Sequence, residues 1–94
     1  MSVSWSARAR DDLTALMTRI AADDIDATIR LRDRIFDAVG MLRDYPAMGR
    51  AGRLPETREL VLPGTAYLIV YRSREDGTQI LRLLHGARDW PGSR

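Results

Sequence analysis

The chain has 94 residues, of which 45% are hydrophobic and 30% charged. That is enough for one small core and too little for two, and it is not the composition of a disordered or fibrous chain. All 15 basic residues are arginine, against 13 acids, for a formal net charge of +2; with no lysine, Schiff-base chemistry and a lysine general base are excluded.

Cysteine is absent and histidine occurs once, at His85. A disulfide scaffold, a thiol nucleophile, a thiolate metal site and a histidine-built zinc site are therefore excluded, and neither cofactor nor metal is expected. No apolar run reaches the length of a membrane span. The start, Met1-Ser2-Val3-Ser4-Trp5-Ser6, lacks the basic and apolar regions of a signal peptide. A single cytoplasmic domain over residues 1–94 is the expectation. Residues 1–46 hold seven arginines and eight acids, and residues 47–94 eight arginines and five acids. The positive excess thus lies in the second half. It attracts anionic partners but is too small to imply direct DNA binding.

In chain order, Val3-Ser4-Trp5 is a short β-prone segment, and Ser6 is a helix N-cap. Ala9, Leu13, Leu16, Met17 and Ile20 then draw one stripe on a helix from about Ala7 to Ala22. Asp23-Asp24 breaks and recaps the chain. The second helix carries Ile25, Ile29, Phe36 and Val39 on one line and Thr28, Leu31, Ile35, Ala38 and Leu42 on another. So wide a stripe predicts packing against both the first helix and a sheet. Pro46 ends this helix near Asp44-Tyr45, giving an antiparallel helical hairpin. Residues 46–56, with two prolines and two glycines, read as an irregular loop.

The period then changes to two. Thr57–Leu62 reads as a strand, Pro63-Gly64 as a turn, and Ala66–Arg72 as a central strand rich in β-branched and aromatic residues. Asp76-Gly77 is a hairpin signal, and Gln79–His85 is the returning strand. Ala87–Trp90 reads as a last helical turn. The predicted fold is α+β in two layers, β-αα-βββ, with the helical hairpin on one face of a small, mainly antiparallel sheet and no obvious cover for the other. Alternation places Tyr67, Ile69 and Tyr71 on one face, with Ile80, Arg82 and Leu84 sharing a face of the last strand.

Arg58, Glu59, Arg72, His85 and Arg88 all fall in or just beyond the β half and converge if the strands pair as a meander. Such a cluster suits RNA cleavage: His85 or Glu59 would take the 2′-hydroxyl proton, and arginines would stabilise the charged phosphorane. The same residues also read as ordinary structure. His85 beside Gly86 suits a strand-end histidine bonded to backbone, Arg58-Glu59 a cross-strand ion-pair ladder, and Tyr67 and Tyr71 packing residues with solvated hydroxyls. No phosphate-cradling glycine loop, metal-ligand spacing or nucleophile elbow is present. The apolar stripes of the hairpin and an unpaired sheet edge offer a groove to a partner helix or strand.

Four pieces together resemble the RelE/ParE superfamily of toxins from bacterial type II toxin–antitoxin (plasmid stabilisation) modules. They are the β-αα-βββ order, Tyr45-Pro46-Ala47-Met48-Gly49-Arg50 before Thr57-Arg58-Glu59-Leu60-Val61, the strand Tyr67–Arg72, and the ending Leu84-His85-Gly86-Ala87-Arg88-Asp89-Trp90-Pro91. The resemblance runs from Trp5 to Pro91. RelE-like members are ribosome-dependent endoribonucleases; ParE-like members keep the fold, lack the nuclease constellation and poison DNA gyrase. The ending His85-Gly86-Ala87-Arg88 is similar to the ParE branch, and no tyrosine follows Tyr71, as the nuclease branch would require. The resemblance therefore implies a binding toxin directed at gyrase, with an endoribonuclease as the alternative. It implies a ParD-like antitoxin that forms a hetero-oligomer with the chain, and no membrane partner. The candidates for target binding are Arg58, Tyr67, Arg72, His85 and Arg88. Those for antitoxin binding are Leu13, Leu16, Met17, Ile20, Ile29, Phe36, Arg50 and Arg53.

Overall fold

The computed structural model describes residues 2–86 and 90–91. Its elements are β1 (Val3–Trp5), α1 (Ala7–Ala21), α2 (Ile25–Asp44), β2 (Arg50–Ala51), β3 (Arg58–Val61), β4 (Tyr67–Arg74) and β5 (Gly77–His85). The strands form one sheet in the order β1-β5-β4-β3-β2. β1 runs parallel to β5 and every other pair is antiparallel. The α+β two-layer arrangement is the predicted one. The segment 46–56 departs from its reading as pure loop, because Arg50 and Ala51 pair with Glu59 and Arg58 to add a two-residue edge strand.

Local chemistry sets the helix ends as the sequence implies. Ser6 Oγ accepts from the Ala9 amide at 3.0 Å, and Asp24 Oδ1 accepts from Ala27 at 3.0 Å. Each side chain satisfies an amide that no helical carbonyl can reach. α2 stops at Asp44, one residue before the Tyr45 that Pro46 restricts. Gly77, at φ 141°, makes the β4–β5 hairpin turn in a conformation that side chains disfavour.

One predicted face assignment fails. Val70 pairs with Arg82 but Tyr71 pairs with Ile80, so Leu81 is an extra residue on β5. Such a bulge breaks strict alternation. Ile80 and Leu83 consequently point into the helix-side core, whereas Leu84 belongs to the cluster on the opposite, far face. Ser6 fastens the bulge: its hydroxyl donates to the Leu81 carbonyl at 3.0 Å while its amide donates to Ile80 at 2.9 Å.

The core lies between the helices and the sheet. Leu16, Leu31, Ile35, Ala38 and Leu42 meet Leu62, Ile69, Tyr71, Ile80 and Leu83 there. Only the second of the two α2 lines is buried. On the first, Val39 packs against the core, but Ile25, Ile29 and Phe36 stay 62%, 43% and 49% exposed. The sheet covers the Leu31–Leu42 stripe alone, and the other line turns sideways past it. Trp5 of the edge strand β1 meets Phe36 edge-on at 6.4 Å.

The far face is divided. Leu68, Val70 and Leu84 are buried there with Leu81 and Trp90 packed against them. Toward the β4–β5 turn the same face carries polar side chains and, among the described residues, no helix. Among the described residues no helix is long and apolar enough to cross a membrane.

Candidate functional site

The residues singled out from the sequence fall into separate places. At the hairpin end, Arg58, Arg72 and Arg74 border a hollow of about 390 Å³ together with Glu56, Thr57 and Ser73. Arg58 is directed to the loop before β2, where its Nη1 donates to Gly49 O at 2.8 Å and Ala47 O at 3.3 Å. The backbone of Arg72 pairs with Gln79, but its side chain makes no hydrogen bond or ion pair with any described residue. Arg74 lies 3.9 Å from Glu56, and both are largely exposed, so that pair is held only loosely.

Glu59 does not join this group. It is 2% exposed and takes Arg50 Nη2 at 3.1 Å and the Arg53 backbone amide at 3.1 Å, with Arg53 Nε at 3.4 Å. A carboxylate so enclosed folds the β2–β3 loop around itself. Arg53 continues the chain of contacts, donating through Nη1 to the Trp90 carbonyl at 3.0 Å.

His85 and Tyr67 lie at the opposite end of the sheet, paired across β4 and β5. Their rings meet edge to face at 5.4 Å, and Arg19 Nη2 donates to the Tyr67 hydroxyl at 2.9 Å. A second hollow of about 290 Å³ is bordered here by Arg19, Tyr67, His85, Leu83 and Leu84. Tyr67 and Arg72 are five steps apart along β4, or about 17 Å at ~3.3 Å per residue. The meander order exists, but the expected convergence of His85 with Arg58 and Arg72 does not. Pairing partners in a meander share an end of the sheet, and the two groups occupy different ends. Arg88 and all of the expected turn over 87–90 except Trp90 lie outside the described residues.

The antitoxin-binding candidates also divide. Leu16 is buried in the chain's own core, and Leu13, Met17 and Ile20 pack against that core. Ile29 and Phe36 remain open, with Ile25 beside them. Arg50 and Arg53 hold Glu59.

Arg82 forms a structural centre that was not singled out from the sequence, and Tyr71 forms a second, its hydroxyl buried and bonded to backbone, not solvated as the sequence suggests. Arg82, 7% exposed, makes a two-pronged contact with Asp12 of α1: Nε to Oδ2 at 2.7 Å and Nη2 to Oδ1 at 3.0 Å. Asp12 Oδ2 also accepts from the Leu83 amide at 3.0 Å. The Arg82 guanidinium carbon lies 5.4 Å from the centre of the Trp90 ring, within cation–π reach. The hydrogen bond to Asp12 raises the Arg82 pKa against the effect of burial. A charge inside the apolar run Leu81-Arg82-Leu83-Leu84 is the signal that betrays a buried counter-ion. Tyr71 is the other centre. Fully buried, it donates to Pro46 O at 2.7 Å and accepts from the Gly49 amide at 2.9 Å, pinning the α2–β2 connection. Burial raises its pKa, opposed by the Gly49 bond and the Arg58 charge. A Cβ on residue 49 would come within 2.7 Å of the Tyr71 hydroxyl, which is why glycine stands there.

Among the described residues no cluster of His, Asp or Glu could hold a metal ion. The site is one of cationic and apolar surfaces on a rigid sheet. Residues 3–90 match the family described as ParE toxin of type II toxin–antitoxin system, parDE, and the chain belongs to that family. It is 43% identical over 89 residues to Y4kP of Sinorhizobium fredii, a protein whose name proposes a toxin; the match covers 95% of this chain and 92% of that one. The fold is similar to a chain of the chromosomal ParDE system of P. aeruginosa, with a TM-score of 0.80 at 24% identity, covering 90% of this chain and 95% of that one. It is also similar to a chain of the intact E. coli RelBE complex, with a TM-score of 0.60 at 12% identity, covering 92% and 96%.

Proposed function

We propose that this toxin arrests growth in the cytoplasm by binding DNA gyrase, without catalysis of its own, and that a ParD-like antitoxin neutralises it. The observation that carries the non-catalytic reading is the separation of His85 from Arg58 and Arg72. RNA cleavage needs a base and a phosphate-stabilising cation at one phosphate, within hydrogen-bond reach of it. About 13 Å of strand separates the level of His85 from that of Arg58 and about 17 Å from that of Arg72; Glu59 is enclosed by Arg50 and Arg53, and Arg19, the arginine beside His85, is engaged with the Tyr67 hydroxyl. The greater likeness of the fold to the ParDE chain than to the RelBE chain agrees with this choice. In the test, purified toxin is added to gyrase and relaxed plasmid. Supercoiling is inhibited or cleaved DNA accumulates; no effect at stoichiometric excess overturns the reading.

For the antitoxin, the open line Ile25, Ile29 and Phe36, continued by Trp5 on the edge strand β1, offers what an amphipathic helix followed by an extended segment would cover. A tail that folds as it docks must offset its own ordering cost from such a surface. Ile29→Asp combined with Phe36→Asp is expected to weaken antitoxin binding by at least tenfold with unchanged gyrase inhibition. Undiminished antitoxin affinity would place the antitoxin elsewhere.

A further inference from the structure

The hollow of about 290 Å³ beside Tyr67 is bordered by one face of α1 through Asp12, Ala15, Leu16 and Arg19. Their i, i+3, i+4 and i+7 spacing aligns them along the helix. Asp12 fixes that face to β5: Oδ1 accepts from Arg82 Nη2, and Oδ2 accepts from Arg82 Nε and from the Leu83 amide. Its charge is therefore spent on Arg82. No other acid among the described residues borders the hollow, so two guanidiniums, those of Arg19 and Arg82, stand against one carboxylate. The charge left over is that of Arg19, which forms no ion pair with any described residue.

Arg19 is held by the bond from its Nη2 to the Tyr67 hydroxyl at 2.9 Å. Tyr67 is in turn anchored by its amide, which donates to Thr65 Oγ1 at 3.1 Å, and by the edge-to-face His85 ring. The phenol oxygen accepts in the bond from Arg19, so its own hydrogen is directed elsewhere, and no described residue takes it. The hollow thus offers a positive charge and an O–H donor side by side. Beneath them Leu16, Leu83 and Leu84, all buried, make an apolar floor. One surplus charge matches a monoanion, and a guanidinium with a neighbouring donor suits the two oxygens of a carboxylate. Free phosphate has no apolar part to lay on the leucines and brings a second negative charge toward Asp12. A nucleotide needs more room than a hollow at the lower end of the ~300–1,000 Å³ range of ligand pockets. We propose that this hollow binds a carboxylate carried on a short apolar stem, with Arg19 and the Tyr67 hydroxyl on its oxygens and the stem on the leucines. A free short-chain acid and the glutamate side chain of a bound polypeptide both present that chemistry. The site does not depend on gyrase being the target.

The test is an NMR titration of the isotope-labelled full-length toxin, with no gyrase present. Butyrate serves as the free acid and N-acetylglutamate N-methylamide as the polypeptide side chain. Saturable shifts of the Leu83 and Leu84 methyls and of Arg19 Nε are expected in the millimolar range, and the tighter probe identifies the source. Butylammonium and N-acetylglutamine N-methylamide, of similar shape without the negative charge, are expected to give no saturable shift. Arg19→Gln is expected to weaken the better acid about tenfold or more, and Tyr67→Phe severalfold, through the lost charge-assisted and neutral hydrogen bonds; circular dichroism shows both variants folded. The comparison of probes on the wild type decides the matter even where a variant unfolds. Four results would overturn the proposal: no saturable shift from either acid, equal shifts from the uncharged or cationic probes, undiminished binding by folded Arg19→Gln, or inorganic phosphate binding as tightly as the better acid.

Discussion

Along β4, the side chains directed away from the helices change from Leu68 and Val70 to Arg72 and Arg74. On the paired strand β5 they change from Leu84 and Arg82 to Gln79. One half of the far face is therefore largely apolar and closed over by Trp90, with the charges buried there compensated, Arg82 by Asp12 and Glu59 by Arg50 and Arg53. The other half is polar and open. The same two strands support both, with the β5 bulge at Leu81 between them, and the side chains make the difference. It teaches that the first half serves the fold, and its residues are replaceable only at a cost in stability. The second contributes little to stability and is free to serve binding.

The sharpest way to break this comparison is Asp12→Ala, which strands a buried guanidinium. We expect a loss of about 3–5 kcal/mol, read from urea denaturation, and a similar value for Arg72→Ala would erase the distinction between the halves. Trp90→Ala uncovers the apolar half and should cost about 2 kcal/mol, seen as a lower thermal midpoint.

Tyr71 provides a pH-dependent check on the helix side. Its folded pKa lies above the ordinary 10.0 because of burial. The native state therefore holds the phenolic proton more tightly than the unfolded chain does. Its stabilisation is complete below pH 10.0 and is lost as pH rises through the folded pKa. Tyr71→Phe should flatten this alkaline decline. At neutral pH the same variant should cost about 1–3 kcal/mol, because Pro46 O and Gly49 N lose their partner. The smallest expected effect is in the open half: Arg72→Ala and Arg74→Ala should each leave unfolding free energy within about 0.5 kcal/mol of wild type.

The helical hairpin, its two N-caps and the β4–β5 turn were legible in the sequence, because Ser6, Asp24 and Gly77 act on backbone within a few residues of themselves. The central position of Tyr67–Arg72 was legible from its run of β-branched and aromatic residues. The bulge at Leu81 was not, since Leu81, Arg82 and Leu83 alternate smoothly on paper and only the Ser6 contact and the pairing with β4 reveal the extra residue. The candidate site residues could be named by type but not placed. Membership of the β half put Arg58, Arg72 and His85 on one sheet, but the end of the sheet each occupies depends on register. Glu59 read as a cross-strand ion-pair partner more readily than as a base, but its partners are Arg50 and Arg53, which depends on where the β2–β3 loop comes to lie. The Asp12–Arg82 contact joins residues 70 apart in sequence, which no local pattern encodes.

The central claim is that this toxin inhibits by binding gyrase and not by cutting RNA. The measurement that tests it most directly is plasmid supercoiling by purified gyrase titrated with the wild-type chain. The account predicts loss of supercoiling, or accumulation of cleaved plasmid, near one toxin per gyrase subunit. Unimpaired supercoiling at large excess, from a preparation that still arrests growth, would contradict it.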